Sequence, residues 1–102
     1  MVCMDLGTAI KNLRLQKDLK QNVLAENCDI SPTYLSQIEN NLKLPNISTL
    51  QVIAKNLDIP LPILFFLSIN DNDIAPEKRK AFEIIGPSVK SMIGSFFMDP
   101  KK

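Results

Sequence analysis

The fold turns on residues 20–40, KQNVLAENCDISPTYLSQIEN. Two short runs of apolar residues at three- and four-residue steps flank a break at Asp29–Ile30–Ser31. In the first run, from about Gln21 to Cys28, Leu24, Ala25 and Cys28 share one face and predict a short helix. In the second run Leu35 and Ile38 stand on one inward face, and Ser31 before Pro32 is a strong start signal. The serine oxygen caps free N–H groups, and a proline at the first helical position gives up an N–H that had no partner. That helix is expected to run to about Asn40. Its outer face carries Thr33, Tyr34, Ser36 and Gln37, rich in hydrogen-bonding groups and free of charge. Such a face is either plain solvated surface or a surface built to read something.

The turn between the two helices decides. A tight turn needs a small residue where the helices meet, and Ala25 is there. It needs an apolar plug in the angle, which Ile30 supplies, and two inward apolar residues on the second helix, Leu35 and Ile38. This is the helix-turn-helix pattern, whose second helix lies in the major groove of DNA.

Working outward, residues 5–17 predict a helix capped by Asp5, with Leu6, Ile10 and Leu13 inward and Ala9 and Leu15 at the edges of the face. NNLKLPN, residues 40–46, reads as a loop. Ser48 is expected to cap a fourth helix through Leu57, burying Leu50, Ile53, Ala54 and Leu57. After a turn at 58–62, a fifth helix covers roughly 62–69. NDNDIAP, residues 70–76, is polar and ends in proline, which divides the chain into a domain over 1–69 and a helical tail over 70–102. The tail predicts one or two helices broken near Gly86–Pro87. No segment reads as a strand, so the class is all-α.

Composition narrows the chemistry. The 102 residues contain no histidine, which excludes Ser-His and Cys-His nucleophile pairs and imidazole metal ligands. Cys3 and Cys28 show no Cys-x-x-Cys spacing, and Cys28 reads as a small core residue. No catalytic residues, metal site or cofactor are expected, and the chain does not read as an enzyme. The N-terminus MVCMDLGTAI has no basic segment followed by an apolar one, so a cytoplasmic protein is expected. IPLPILFFLSI, residues 59–69, is the most apolar run and falls far short of the ~20 residues that span a bilayer. It reads as a buried helix.

The segment from Leu6 to about Phe66 resembles the helix-turn-helix domain of the phage-repressor-like (Cro/C1, or XRE) family. The resemblance rests on IKNLR (10–14), on KQNVLAENCDISPTYLSQIEN (20–40) and on LPNISTLQVIAKNLDIPLPIL (44–64). It implies a five-helix lambda-repressor-like domain that binds double-stranded DNA. Gln21 matches the glutamine that holds a phosphate at the start of the second helix, and Arg14 and Glu39 match a pair that forms a structural salt bridge. Thr33, Tyr34, Ser36 and Gln37 fall on the base-reading positions. Their chemistry suits that role: Gln37 can donate and accept together, as a bidentate contact to adenine requires. Thr33 and Ser36 can bond base edges, and Tyr34 a phosphate or sugar. Lys17, Lys20, Lys43 and Asn41 are the expected backbone contacts.

The sequence also departs from the family pattern. Lys20 stands where Ser or Thr usually caps the second helix, and Asp29 replaces the usual turn glycine. Asn41–Leu42 replaces a common Gly-basic pair. Residues 1–69 carry six basic side chains (Lys11, Arg14, Lys17, Lys20, Lys43, Lys55) against six acidic ones (Asp5, Asp18, Glu26, Asp29, Glu39, Asp58). Bulk charge therefore gives no nucleic-acid footprint, and a shallow salt dependence per monomer follows.

The tail places Phe82, Ile85, Val89, Met92, Ile93, Phe96 and Phe97 at helical steps. So much apolar surface either folds back on its own domain or forms a homodimer interface, and the second fits two half-sites one DNA turn apart. The polar face of the tail is only weakly basic, so no membrane partner is expected. The expected function is a sequence-specific regulator, a repressor, that binds a pseudo-palindromic operator as a homodimer. The alternative is an antitoxin-like or adaptor module whose tail binds another protein.

Overall fold

The computed structural model of the protein describes residues 5–69 and 73–97. Among them are six α-helices and no strand: α1 (Leu6–Gln16), α2 (Gln21–Asn27), α3 (Pro32–Glu39), α4 (Ile47–Asn56), α5 (Leu61–Leu67) and α6 (Arg79–Phe97), with a 3-10 turn at Pro76–Lys78 before α6. The domain boundary expected within 70–76 lies partly outside the described residues.

Helices α1 to α5 close on one core. Leu6, Ile10 and Leu13 of α1, Leu24, Ala25 and Cys28 of the second element, and Leu35 and Ile38 of α3 meet Leu50, Ile53, Ala54 and Leu57 and Leu64 of α5. Of the two residues expected at the edges of α1, Ala9 turns in and Leu15 stays out at 55% exposure. Burial lifts the Cys28 thiol above its ordinary pKa, although a bond to Asn56 works the other way. Cys3 lies outside the described residues.

The helix starts follow their caps. Asp5 accepts from the Thr8 N–H at 3.2 Å, and Ser31 from the Tyr34 N–H at 3.0 Å with Pro32 opening α3. Helix α4 departs from expectation: Asn46, not Ser48, is its cap, accepting from the Thr49 N–H at 2.8 Å. Asparagine and serine cap about equally well, so the sequence offered two starts. At α2 the Lys20 side chain makes no cap bond, as its chemistry requires.

Four helices end alike. Asp18, Asp29, Asn41 and Asp58 each adopt a left-handed φ near 60°, one residue beyond the cap of α1, α2, α3 and α4. After each, an apolar residue sends its N–H back to the last turn: Leu19 to Arg14, Ile30 to Ala25, Leu42 to Gln37 and Ile59 to Ala54. This is the Schellman stop, usually built on glycine. The chain has three glycines in all, none of them at these stops. Asp and Asn tolerate the left-handed region better than other side chains. Leu19, Ile30 and Ile59 pack on the core after their stops, whereas Leu42 is 73% exposed.

The tail differs from its expected form. Helix α6 runs unbroken through Gly86–Pro87. Pro87 has no N–H to donate and costs an interior helix about 3 kcal/mol. Against that, Phe82, Gly86 and Ile93 hold one face across it: Ile93 is 4% exposed, and Phe82 packs on Phe66 of α5 with ring centroids 6.2 Å apart. No single helix among the described residues is long and apolar enough to cross a membrane.

Candidate nucleic-acid interface

Helices α2 and α3 are held on α1 by one buried charge network. The Arg14 guanidinium donates from Nε to Glu39 Oε2 at 2.8 Å and from Nη2 to Glu39 Oε1 at 3.1 Å. Its remaining arm, Nη1, donates to the Leu19 carbonyl at 2.9 Å, closing the α1–α2 turn. Both side chains are nearly fully buried. Charges that deep need every polar atom matched, and among the described residues no buried side-chain nitrogen or oxygen lacks a partner.

Gln21 joins this network, which the sequence did not reveal. Its Nε2 donates to Glu39 Oε1 at 3.0 Å, so the first residue of α2 is tied to the last residue of α3. One amide N–H is engaged there, and the other stays available at the start of α2. Gln21 is half-buried and Lys20 beside it is exposed.

On α3 the outer residues are graded in exposure. Thr33 is exposed, Tyr34, Ser36 and Gln37 are half-buried, and Tyr34 packs against the core. Thr33 and Gln37 make no side-chain hydrogen bond among the described residues, which leaves both free to meet an external partner. Ser36 is engaged: the Asn40 amide donates to its carbonyl at 2.9 Å and to its hydroxyl at 3.4 Å. Asn40 therefore extends the same face by one turn, a residue the sequence reading passed over although its spacing from Thr33, Ser36 and Gln37 is helical.

Beyond α3, Lys43 is exposed, as are its neighbours Leu42 and Leu44. Lys17 is half-buried at the end of α1. The Asn41 side chain is occupied within the protein. Its Oδ1 accepts from the Gly7 N–H at 3.0 Å, and its Nδ2 donates to Asp5 Oδ1 at 2.6 Å. These bonds hold the Asp5 carboxyl below its ordinary range, Asn41 first and the Thr8 bonds after it, with burial working against them. Among the described residues no group of three or more Cys, Asp or Glu stands close enough to hold a metal ion.

On α6 the seven apolar tail residues divide. Ile93 is buried, Phe82, Val89 and Phe97 are half-buried, and Ile85, Met92 and Phe96 stand outward at 56%, 57% and 79% exposure. Ile85, Val89, Met92 and Phe96 follow one another at four- and three-residue steps, a continuous stripe along the helix.

Known proteins share this arrangement. The helix-turn-helix family profile matches residues 10–64, more than half of the chain. A 10 kDa protein of the ImmF control region of Bacillus phage phi105 is 44% identical over 59 residues, which cover 58% of this chain and 66% of that protein. The immunity repressor of the same phage is 39% identical over 56 residues, covering 55% of this chain and 39% of the repressor. The chain thus spans less than two thirds of the length of either. Among solved structures, the clp gene regulator ClgR from C. glutamicum superposes with a TM-score of 0.63 at 25% identity, over 72% of this chain and 92% of that one. By the matched segment, the shared architecture and these likenesses, the chain belongs to the helix-turn-helix family, with a domain of the phage-repressor-like type.

Proposed function

We infer that the protein is a DNA-binding transcriptional regulator, a repressor, that reads a pseudo-palindromic operator with α3 and binds it as a homodimer. The observation that carries this is the pairing of a free polar face with a rigid mount. Thr33 and Gln37 have uncommitted side chains on a helix whose far end is fixed through Glu39 to Arg14 and Gln21. Phage control and immunity-repressor relatives and a gene regulator of like fold support it.

In this reading Gln37 and Thr33 contact base edges, and Ser36 and Tyr34 contact bases or backbone. Gln21 with Lys20, Lys17 and Lys43 holds phosphates. The Asn41 side chain serves the protein's own packing, so any phosphate contact there falls to its neighbours. With so few cations the salt slope is shallow, each phosphate neutralised contributing roughly 0.9. A second copy covers the Ile85–Met92–Phe96 stripe, the part of the tail that its own domain leaves open. Nothing in this reading requires catalysis, a metal or a cofactor, and it places the protein in the cytoplasm with DNA.

Selection of bound duplexes from a random pool tests the proposal. A palindromic consensus is expected, and Gln37→Ala should weaken binding to that consensus by at least about tenfold while changing random-duplex binding little, the signature of a lost base contact. The exposed α6 stripe favours a second reading, an antitoxin-like or adaptor module that grips another protein. Failure to enrich any sequence would remove the regulator and leave that module.

A further inference from the structure

The N-terminus of α1 and the end of α3 meet through a device that neither the packing of the core nor the salt bridge requires. Asn41 sits one residue past the cap of α3 with φ 60°, a backbone position that glycine would fill more easily. The side chain that glycine lacks is employed at both its polar atoms: its oxygen accepts from the Gly7 N–H and its nitrogen donates to Asp5 Oδ1. Asp5 in turn caps α1 at the Thr8 N–H, and its own N–H donates at 2.8 Å to the Ser68 carbonyl after α5. Gly7 is the other half of the fit. A Cβ there would lie 2.7 Å from the Glu39 carbonyl oxygen and closer still to that of Ile38, so only glycine lets α1 approach the end of α3 this closely. The same helix end carries Glu39 on one side and, one and two residues before that, Ile38 in the core and Gln37 on the outer face.

We propose that Asn41, Asp5 and Gly7 form a clamp that positions α3 on α1, and that preference for one DNA sequence over others depends on it. The proposal rests on the DNA-reading role of α3 given above. Asn41 and Asp5 are positioning residues: they act on Gln37 and Ser36 through the backbone of α3, not by touching DNA. The Arg14–Glu39 pair fixes how deep α3 sits. The clamp fixes the direction of its last turn, because it grips the chain beyond the helix end from a separate side.

The test compares binding to the selected consensus and to a scrambled duplex, with the thermal midpoint of each variant measured alongside. Asn41→Asp keeps an acceptor for the Gly7 N–H but sets a second carboxylate against Asp5 and removes the donor. It should lower the consensus-to-scrambled ratio roughly tenfold, a loss comparable to one mismatched base pair. Asp5→Asn combined with Asn41→Asp exchanges the amide and the carboxylate between the two positions. Because one oxygen, Asp5 Oδ1, meets both the Asn41 amide and the Thr8 N–H, the exchanged amide on α1 turns its N–H toward the carboxylate past α3 and gives up the Thr8 cap, a loss read in the thermal midpoint. The ratio should return to within about threefold of wild type, since the two sites touch and their effects cancel instead of adding. Should Asn41→Asp fail to fold, Asn41→Gly removes the clamp without backbone strain and should lower the ratio similarly. Unchanged selectivity in Asn41→Asp or Asn41→Gly overturns the clamp. So does a loss that the exchange leaves unrestored, since that marks a direct effect of charge on DNA. A wild type that prefers no duplex overturns the DNA-binding reading and the clamp with it, whereas a selective wild type with insensitive variants overturns the clamp alone.

Discussion

At the scale of single residues, the molecule depends most on Glu39. Its carboxylate takes two bonds from Arg14 and one from Gln21 while almost wholly buried. Removing one member of such a pair leaves an uncompensated charge, so Glu39→Ala should cost about 3–5 kcal/mol, read as a shift in the urea midpoint. Replacing Arg14 and Glu39 together with methionine and leucine should cost far less, because no charge is then stranded. Asp5 makes a gentler prediction. Its carboxyl is held below the ordinary range by the Asn41 amide first and the Thr8 bonds second. A depressed folded pKa stabilises the fold above the unfolded value, and the gain is lost as the pH falls through the folded value. Acidification should therefore weaken wild type more than Asn41→Gly, as measured by urea midpoints from neutral pH down past the ordinary carboxylate range.

At the scale of elements, the four helix stops set the terms. Each places an Asp or Asn where left-handed backbone costs an L-residue roughly 1–2 kcal/mol. Glycine would relieve that strain but lose about 0.5–1 kcal/mol of chain entropy. Asp58→Gly, at the α4 stop and away from α3, should therefore raise stability by up to about 1 kcal/mol in a denaturant titration. The stops also explain what the sequence made legible. Asp5, Ser31–Pro32 and Asp29 act within a few residues of themselves, so their roles could be read locally. The start of α4 could not, since Asn46 and Ser48 compete and only the bond to Thr49 separates them. Nor could the continuity of α6, which runs past Pro87 with Gly86 and Ile93 buried on either side of it. The bonds from Asn41 to Gly7 and Asp5 join residues 34 and 36 positions apart. No periodicity carries such information. Residue types named the outer face of α3, but which of its members are already engaged, as Ser36 is by Asn40, depends on side-chain placement that residue type does not fix.

At the scale of the whole molecule, weak charge and uneven apolar exposure go together. The formal net charge is +1, and Ile85, Met92 and Phe96 stay outward on α6. A nearly neutral protein with such a stripe has little to keep copies apart. In the proposed homodimer, Met92→Lys with Phe96→Lys should shift sedimentation from dimer to monomer while helical circular dichroism stays unchanged, since neither side chain is buried in its own chain. The remaining asymmetry lies at the ends of the helices. Leu19, Ile30 and Ile59 roof their stops with apolar contact, while Leu42 turns to solvent. Amide hydrogens at the first three stops should then exchange with deuterium only when the core opens, whereas that of Leu42 escapes through a small local fluctuation. The chain just past the α3 stop can thus loosen on its own while Ile38 in the core and Glu39 in its ion pair keep the last turn of α3 seated, so motion there begins outside the helix and ends at its edge.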